Sequence, residues 1–279
     1  MSWGIPFSVI NAKGGVGKTT TAVNVAAMAV TVGKSDESPL KALVVDIDHQ
    51  TNATQQLGYH DLDRDMTLAG HVTRDAELSR IIIHNACGIE GLDLIPSHFQ
   101  LAYVDKGVLA RGTWMRRMLR EIIPQYDLII FDCPADLGDF TTNALASSEG
   151  ILIPTQAEKH SVTGLPHLIA CARQIFEETE CSKPWAYVLI TMFSQNNGIE
   201  RSWKQEVEQK YQDSVLRTYV RRNTDVEKAV TSGMPMAVFD KHCHGYEDYC
   251  SATRELLTIF EELRRPQLKI VSPPLSAAS

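Results

Sequence analysis

Short apolar runs recur along the chain at residues 7–10, 42–45, 92–95, 128–131, 151–153 and 187–192. Runs of this length, nearly continuous and rich in Val, Ile and Leu, predict strands covered on both faces. Between them, apolar residues fall at helical spacing over 20–32, 76–85, 113–122, 141–147, 164–178 and 199–211, with a longer stretch at 246–263. Strand and helix alternate, which predicts an α/β fold: a doubly wound, mainly parallel sheet flanked by helices. Residues 34–39 are polar and turn-rich and read as an exposed loop before the second strand. No linker or internal repeat divides the pattern, so residues 1–265 read as one domain. Pro266, Pro273, Pro274 and small residues predict a loosely ordered tail over 266–279.

Composition narrows the classes. The 279 residues, 44% of them hydrophobic, suit a globular chain with a sizeable core. No run approaches the roughly 18 apolar residues of a membrane span. The start lacks a basic-then-apolar signal pattern, so a cytoplasmic protein is expected. The six cysteines are scattered and read as reduced thiols. His242-Cys243-His244 with Cys250 lacks the second spaced pair of a structural zinc site. The net charge of −7 does not advertise nucleic-acid binding, which would need a local basic patch.

Lys13-Gly14-Gly15-Val16-Gly17-Lys18-Thr19 joins the first apolar run to the first helical stretch, the setting in which a phosphate loop is physically credible. Glycines let backbone N–H groups wrap an anion, and the following helix N-terminus adds positive potential. Lys18 would neutralise phosphate and the Thr19 hydroxyl would sit on Mg²⁺. Ala12 occupies the place of the first glycine of the strict motif, and Lys13 adds a second cation inside the loop. Two acidic motifs follow at predicted strand ends, where open α/β sheets place ligands. One holds Asp46 and Asp48; the other is Phe131-Asp132-Cys133-Pro134. One such Asp alone reads as a helix cap or turn residue. Three elements in this order read as an ATP and Mg²⁺ site.

These residues resemble the ParA/MinD ATPases, in particular the short ParA-type partitioning proteins. Lys13 to Thr20 is similar to their deviant Walker A box, Asp46-Ile47-Asp48 with Gln50 to their second box, and Phe131 to Pro134 to their Walker B box. Thr155-Gln156, Gly164-Leu165, residues 189–192 and Arg222-Asn223 extend the likeness over nearly the whole chain. The resemblance implies a P-loop NTPase fold, weak ATPase activity and an ATP-dependent homodimer. It implies that Gly14, Gly15, Val16, Gly17, Lys18, Thr19 and Thr20 hold the phosphates. Lys13 would reach the partner's phosphates in trans. Asp48 would orient the attacking water, and Thr19, Asp48 and Asp132 would serve Mg²⁺. Asp46 would either help there or support the second box. Met192, Arg222 and Asn223 fall where the family contacts adenine. A ParB-like activator, nonspecific double-stranded DNA and a nucleoid-associated location follow from the same likeness. His49, Ala135-Asp136 and Asp225 depart from the family pattern, the last where many members carry a DNA-binding Arg. No helix-turn-helix domain fits ahead of Lys13, so specific operator binding is not expected.

Residues 201–228 hold seven basic and five acidic side chains, a local balance of 7 − 5 = +2, and are the candidate DNA face. Three other readings stand beside it: an ATP-switched protein that positions a protein cargo, a MinD-like membrane ATPase, and an iron–sulfur reductase. The tail has one Lys and no amphipathic repeat, and Cys133 alone does not make a cluster motif; both disfavour the latter two.

Overall fold

The computed structural model describes residues 4–33, 39–74, 76–104, 109, 114–179, 181 and 184–264. Seven strands form one sheet: β1 Ile5–Val9, β2 Ala42–Asp46, β3 Leu92–Ile95, β4 Leu128–Asp132, β5 Gly150–Gln156, β6 Trp185–Phe193 and β7 Val215–Arg221. Their order is β3-β2-β4-β1-β5-β6-β7, and every strand pair is parallel. The expected doubly wound sheet is therefore present, one strand larger than the apolar runs predict.

Strand alternation splits the core into two layers. Phe7, Val44, Leu128 and Ile130 pack on one face with Ala22, Ala26 and Met28 of α1 (Lys18–Val32). Leu43, Val45, Ile129 and Phe131 pack on the other. Four further long helices are α2 (Asp139–Ala146), α3 (Lys159–Glu178), α4 (Gly198–Tyr211) and α5 (His244–Arg264). Helices α2, α3 and α4 bury Leu145, Leu168 and Val207 on the second face, while α5 lays Tyr249, Leu256 and Phe260 on the first. The apolar stripe of 246–263 is thus core, as expected of a helix covering a sheet.

Two expectations need correction. The stretch 76–85 is helical only over Leu78–Ile81, because Ile83 leaves to form an antiparallel bridge with Leu94 and Asn85 turns at φ 54°. Val215–Arg221, read as part of a basic surface segment, is the edge strand β7, exposed at Arg217. The predicted helix 113–122 is observed as Trp114–Leu119, with Thr113 outside the described residues. Residues 34–38 of the expected loop and the whole tail 266–279 also lie outside them.

Candidate functional site

The site gathers at the C-terminal ends of β1, β2, β4 and β5. Gly17 adopts φ 84°, and a left-handed turn here, open to glycine without a Cβ penalty, starts α1. Gly15 is likewise left-handed at φ 72°, and a Cβ on Gly14 would meet nothing within 4 Å. The loop is tied through its carbonyls: Lys18 Nζ donates to Lys13 O at 3.0 Å, Gln156 Nε2 to Gly15 O at 3.3 Å and Thr191 Oγ1 to Val16 O at 2.8 Å. Among the described residues, no acceptor takes the amide protons of Gly14, Gly15, Val16 or Gly17. Four uncommitted amides beside a helix N-terminus make an anion cradle.

The two lysines of the loop face different surroundings. Lys18 is buried, and desolvation lowers its pKa, opposed by the negative charges of Asp132 and Asp48. It lines a cavity of about 410 Å³ with Gly14, Gly15, Thr19, Thr20 and Asp48. Lys13 is absent from that lining; its side chain, 42% exposed, pairs with Glu158 and reaches Gln156 Oε1 at 3.4 Å.

Sheet register places the acidic groups. Asp46 and Asp132 end β2 and β4 as Cα partners, both fully buried. Asp46 accepts from Thr54 N (2.9 Å), Thr54 Oγ1 (2.7 Å) and Asp48 N (3.2 Å), so its carboxylate anchors the turn that carries Asp48. Burial still pushes its pKa up to about 7. Neither carboxylate oxygen of Asp132 has a hydrogen-bond partner. Burial and the neighbouring Asp46 raise its pKa well above the carboxylate range; Thr19, near though not bonded, and Lys18 oppose the rise. A buried carboxylate left without donors is a costly group that a bound cation would relieve. Asp48 lines the cavity and accepts from Gln50 N at 2.9 Å; His49, exposed, has Nδ1 3.6 Å from the same Asp48 oxygen.

A second cavity of about 350 Å³ shares Gly17, Thr20, Met192 and Val230 with the first. It is lined by Met192, Arg222, Asn223, Val226 and Tyr249, so the three expected base-side residues do meet next to the loop. Met192 sits in the left-handed region at φ 52°. Asn223 Oδ1 caps the helix Thr224–Thr231 by accepting from Asp225 N at 2.8 Å, and Arg222 lies 3.8 Å from Glu200.

Other expectations fare differently. Among the described residues no group of three or more His, Cys, Asp and Glu is arranged to hold a metal. No described helix is long and apolar enough to cross a membrane. Of the seven basic residues in 201–228, four lie against carboxylates: Lys204 with Glu208, Arg221 with Asp248 and Glu247, Arg222 with Glu200 and Lys228 with Asp225. Asn11, Thr54 and Glu158 carry structure in the site without a motif to mark them. Asn11 ties β1 to β5 through Pro154 O at 2.8 Å and accepts from Lys13 N at 2.9 Å.

A glycine-rich loop between β1 and a helix, with acidic residues ending two neighbouring parallel strands, defines a P-loop nucleotide-binding protein. Residues 6–182 match a family described as an AAA domain. The chain is 33% identical to sporulation initiation inhibitor protein Soj of Bacillus subtilis, over 89% of this chain and 96% of the relative. It is 30% identical to the chromosome-partitioning ATPase Soj of Treponema pallidum, over 89% and 95%. In fold it is similar to cobyrinic acid a,c-diamide synthase from Mycobacterium smegmatis with bound ADP and magnesium. That match has a TM-score of 0.77 and 23% identity, and covers 95% of this chain and 97% of the other. The chain belongs to the Soj/ParA family of P-loop ATPases.

Proposed function

We propose that this ATPase closes as an ATP-dependent homodimer, binds double-stranded DNA without sequence preference, and is released when a ParB-like partner stimulates hydrolysis. Partition of a chromosome or plasmid is the corresponding cellular role, carried by a cytoplasmic, nucleoid-associated protein. The observation that carries this reading is the divided setting of the two lysines. Lys18 faces the cavity of its own subunit, whereas Lys13 stands outside that cavity, half exposed, on a carboxylate it would exchange for a partner's phosphate.

The residues fit Mg²⁺ and ATP. The four free amides of residues 14–17, with Lys18 and Thr20, suit the phosphates; the cavity at Met192, Arg222 and Asn223 suits the base. Thr19, Asp48 and the orphaned Asp132 supply the hard oxygen donors that Mg²⁺ requires. When bound, Mg²⁺ neutralises charge on the phosphates. Asp48, fixed through the backbone bond to Asp46, accepts from and orients the attacking water. Lys18 stabilises the charge that develops on the phosphoryl oxygens, a term that positioned cations supply in a site shielded from water.

Retention on random duplex DNA with a nonhydrolysable ATP analogue tests the reading. Retention is expected with the analogue only; equal retention without nucleotide, or none at low salt, overturns it. Lys13→Ala is expected to bind ATP but to lose analogue-dependent dimerisation in size-exclusion chromatography, and to lower partner-stimulated turnover by about a thousandfold. Wild-type dimerisation by this variant would remove the trans role. Asp48→Ala is expected to dimerise with ATP and to hydrolyse it about a hundredfold more slowly. Rapid single turnover in that variant would reassign Asp48.

A further inference from the structure

In residues 201–228 four of the seven cations lie against carboxylates, two of the four against carboxylates outside the segment. A second surface gathers three arginines within five residues. The short helix Trp114–Leu119 and the turn after it present Arg116, Arg117 and Arg120, all exposed. Among the described residues none of the three reaches a carboxylate, and neither do the exposed Arg173, Arg201, Arg217 and Arg254, whereas Arg80, Arg221, Arg222 and Arg264 each do; what sets the three apart is that they lie together. Arg120, in the turn after the helix, follows Arg116 by four residues and Arg117 by three, the spacings that bring side chains to one side. Met115 and Leu119 hold the opposite face, buried without exposure in the second core layer.

Location adds to the argument. Arg116 lines a cavity of about 440 Å³ with Gly4, Pro6, Glu149, Trp185 and Arg264, residues at or beside the starts of β1, β5 and β6. The arginines therefore lie at the end of the sheet opposite the phosphate loop. A polyanion held there leaves the nucleotide cavity uncovered. Among the described residues, acidic groups near the patch include Glu121, exposed, and Glu149, already bonded by Arg264 at 2.9 and 3.0 Å.

We infer that Arg116, Arg117 and Arg120 form a contact surface for the phosphate backbone of duplex DNA, a surface that rests on the DNA-binding reading above and locates it. Guanidinium forks match phosphate geometry and stay charged at any working pH. Lipid is the poorer fit. A membrane-surface helix offers apolar side chains between its cations, and here Trp114 and Met118 pack on the core rather than projecting.

The test compares wild type, the triple variant R116Q/R117Q/R120Q and the triple variant R116K/R117K/R120K on fluorescent random duplex DNA with a nonhydrolysable ATP analogue. Affinity is measured across a salt series. The Gln variant is expected to bind ATP as wild type does, to lose at least about tenfold in DNA affinity, and to show a shallower salt slope, by about 2–3 in log K against log salt. The Lys variant, which keeps the charge, is expected to restore most of both. If wild type binds DNA and the Gln variant keeps its affinity and slope, the surface is wrong and the DNA-binding reading stands. If wild type itself fails to bind at low salt, both fall. Loss of binding to phosphatidylglycerol vesicles by the Gln variant, with DNA binding unchanged, would assign the patch to lipid and overturn the inference.

Discussion

Lys18→Ala is expected to fold normally and to bind ATP about a hundred- to a thousandfold more weakly than wild type. The size of the effect follows from burial. The ammonium is held in the cavity by Lys13 O, and desolvation already disfavours its charge. An anion placed on the four free amides would add a counter-charge beside this buried cation. Removing one member of a buried charge pair costs about 3–5 kcal/mol, which is a factor of more than a hundred in affinity. Without nucleotide the same substitution should cost little, since a lost hydrogen bond is offset by relief of a desolvated charge. Isothermal titration with an ATP analogue, alongside thermal unfolding of the apo protein, reads both. An affinity within a few-fold of wild type would remove Lys18 from the phosphate site.

Asp132→Asn is expected to stabilise the nucleotide-free protein at pH 8 and to have little effect at pH 4. In the folded chain, burial and Asp46 raise the Asp132 pKa, so the folded state holds a proton that the unfolded state has released. The same holds for Asp46, raised to about 7 from an ordinary value of 3.8. Stability is therefore greatest below the unfolded pKa and is lost as pH climbs from about 4 through the folded pKa. Each such carboxylate costs up to about 1.4 kcal/mol per pH unit in that window. Asn mimics the protonated form and abolishes the contribution of Asp132, while removing a donor for Mg²⁺. The apo wild type should melt at a lower temperature at pH 8 than at pH 5, and the variant should show a smaller drop. Equal drops in both proteins would show that the orphaned carboxylate does not carry the penalty. Added Mg²⁺ with nucleotide should narrow the gap for wild type and leave the variant behind.

The two predictions depend on features that differ in how visible they were in the sequence. Asp132 stands out in the sequence because a parallel strand buried on both faces reads as an unbroken apolar run, which it ends; Lys18 stands out because it closes the glycine-rich run 13–19. The edge strand Val215–Arg221 does not, because one side of it meets solvent and its polar residues, Arg217 and Thr218, break the run. The stretch 76–85 misled in the opposite sense. Its apolar residues fall at helical spacing, but three consecutive β-branched isoleucines favour extended chain: Ile81 packs in the core while Ile83 is taken by tertiary pairing with Leu94. Asn11, Thr54 and Glu158 were invisible as site residues, since a single polar side chain at a strand end or in a loop has no spacing to betray it. The basic count over 201–228 also leaves out which of its cations are paired. Charge along a sequence says nothing of pairing in space, and Asp248, which takes Arg221 in a close bidentate contact, lies outside the segment counted.

The carbonyl ties of residues 13–16 have a consequence for how the protein meets its nucleotide. Lys18, Gln156 and Thr191 fix the loop from three directions before any anion arrives. Its conformational entropy is given up when the chain folds, so none need be deducted from binding. The receptor for phosphate is rigid, whereas the side chain of Lys13 must leave Glu158 to act elsewhere. In the proposed dimer, nucleotide would meet a loop already tied in place, whereas the trans role of Lys13 would require exchange of one ion pair.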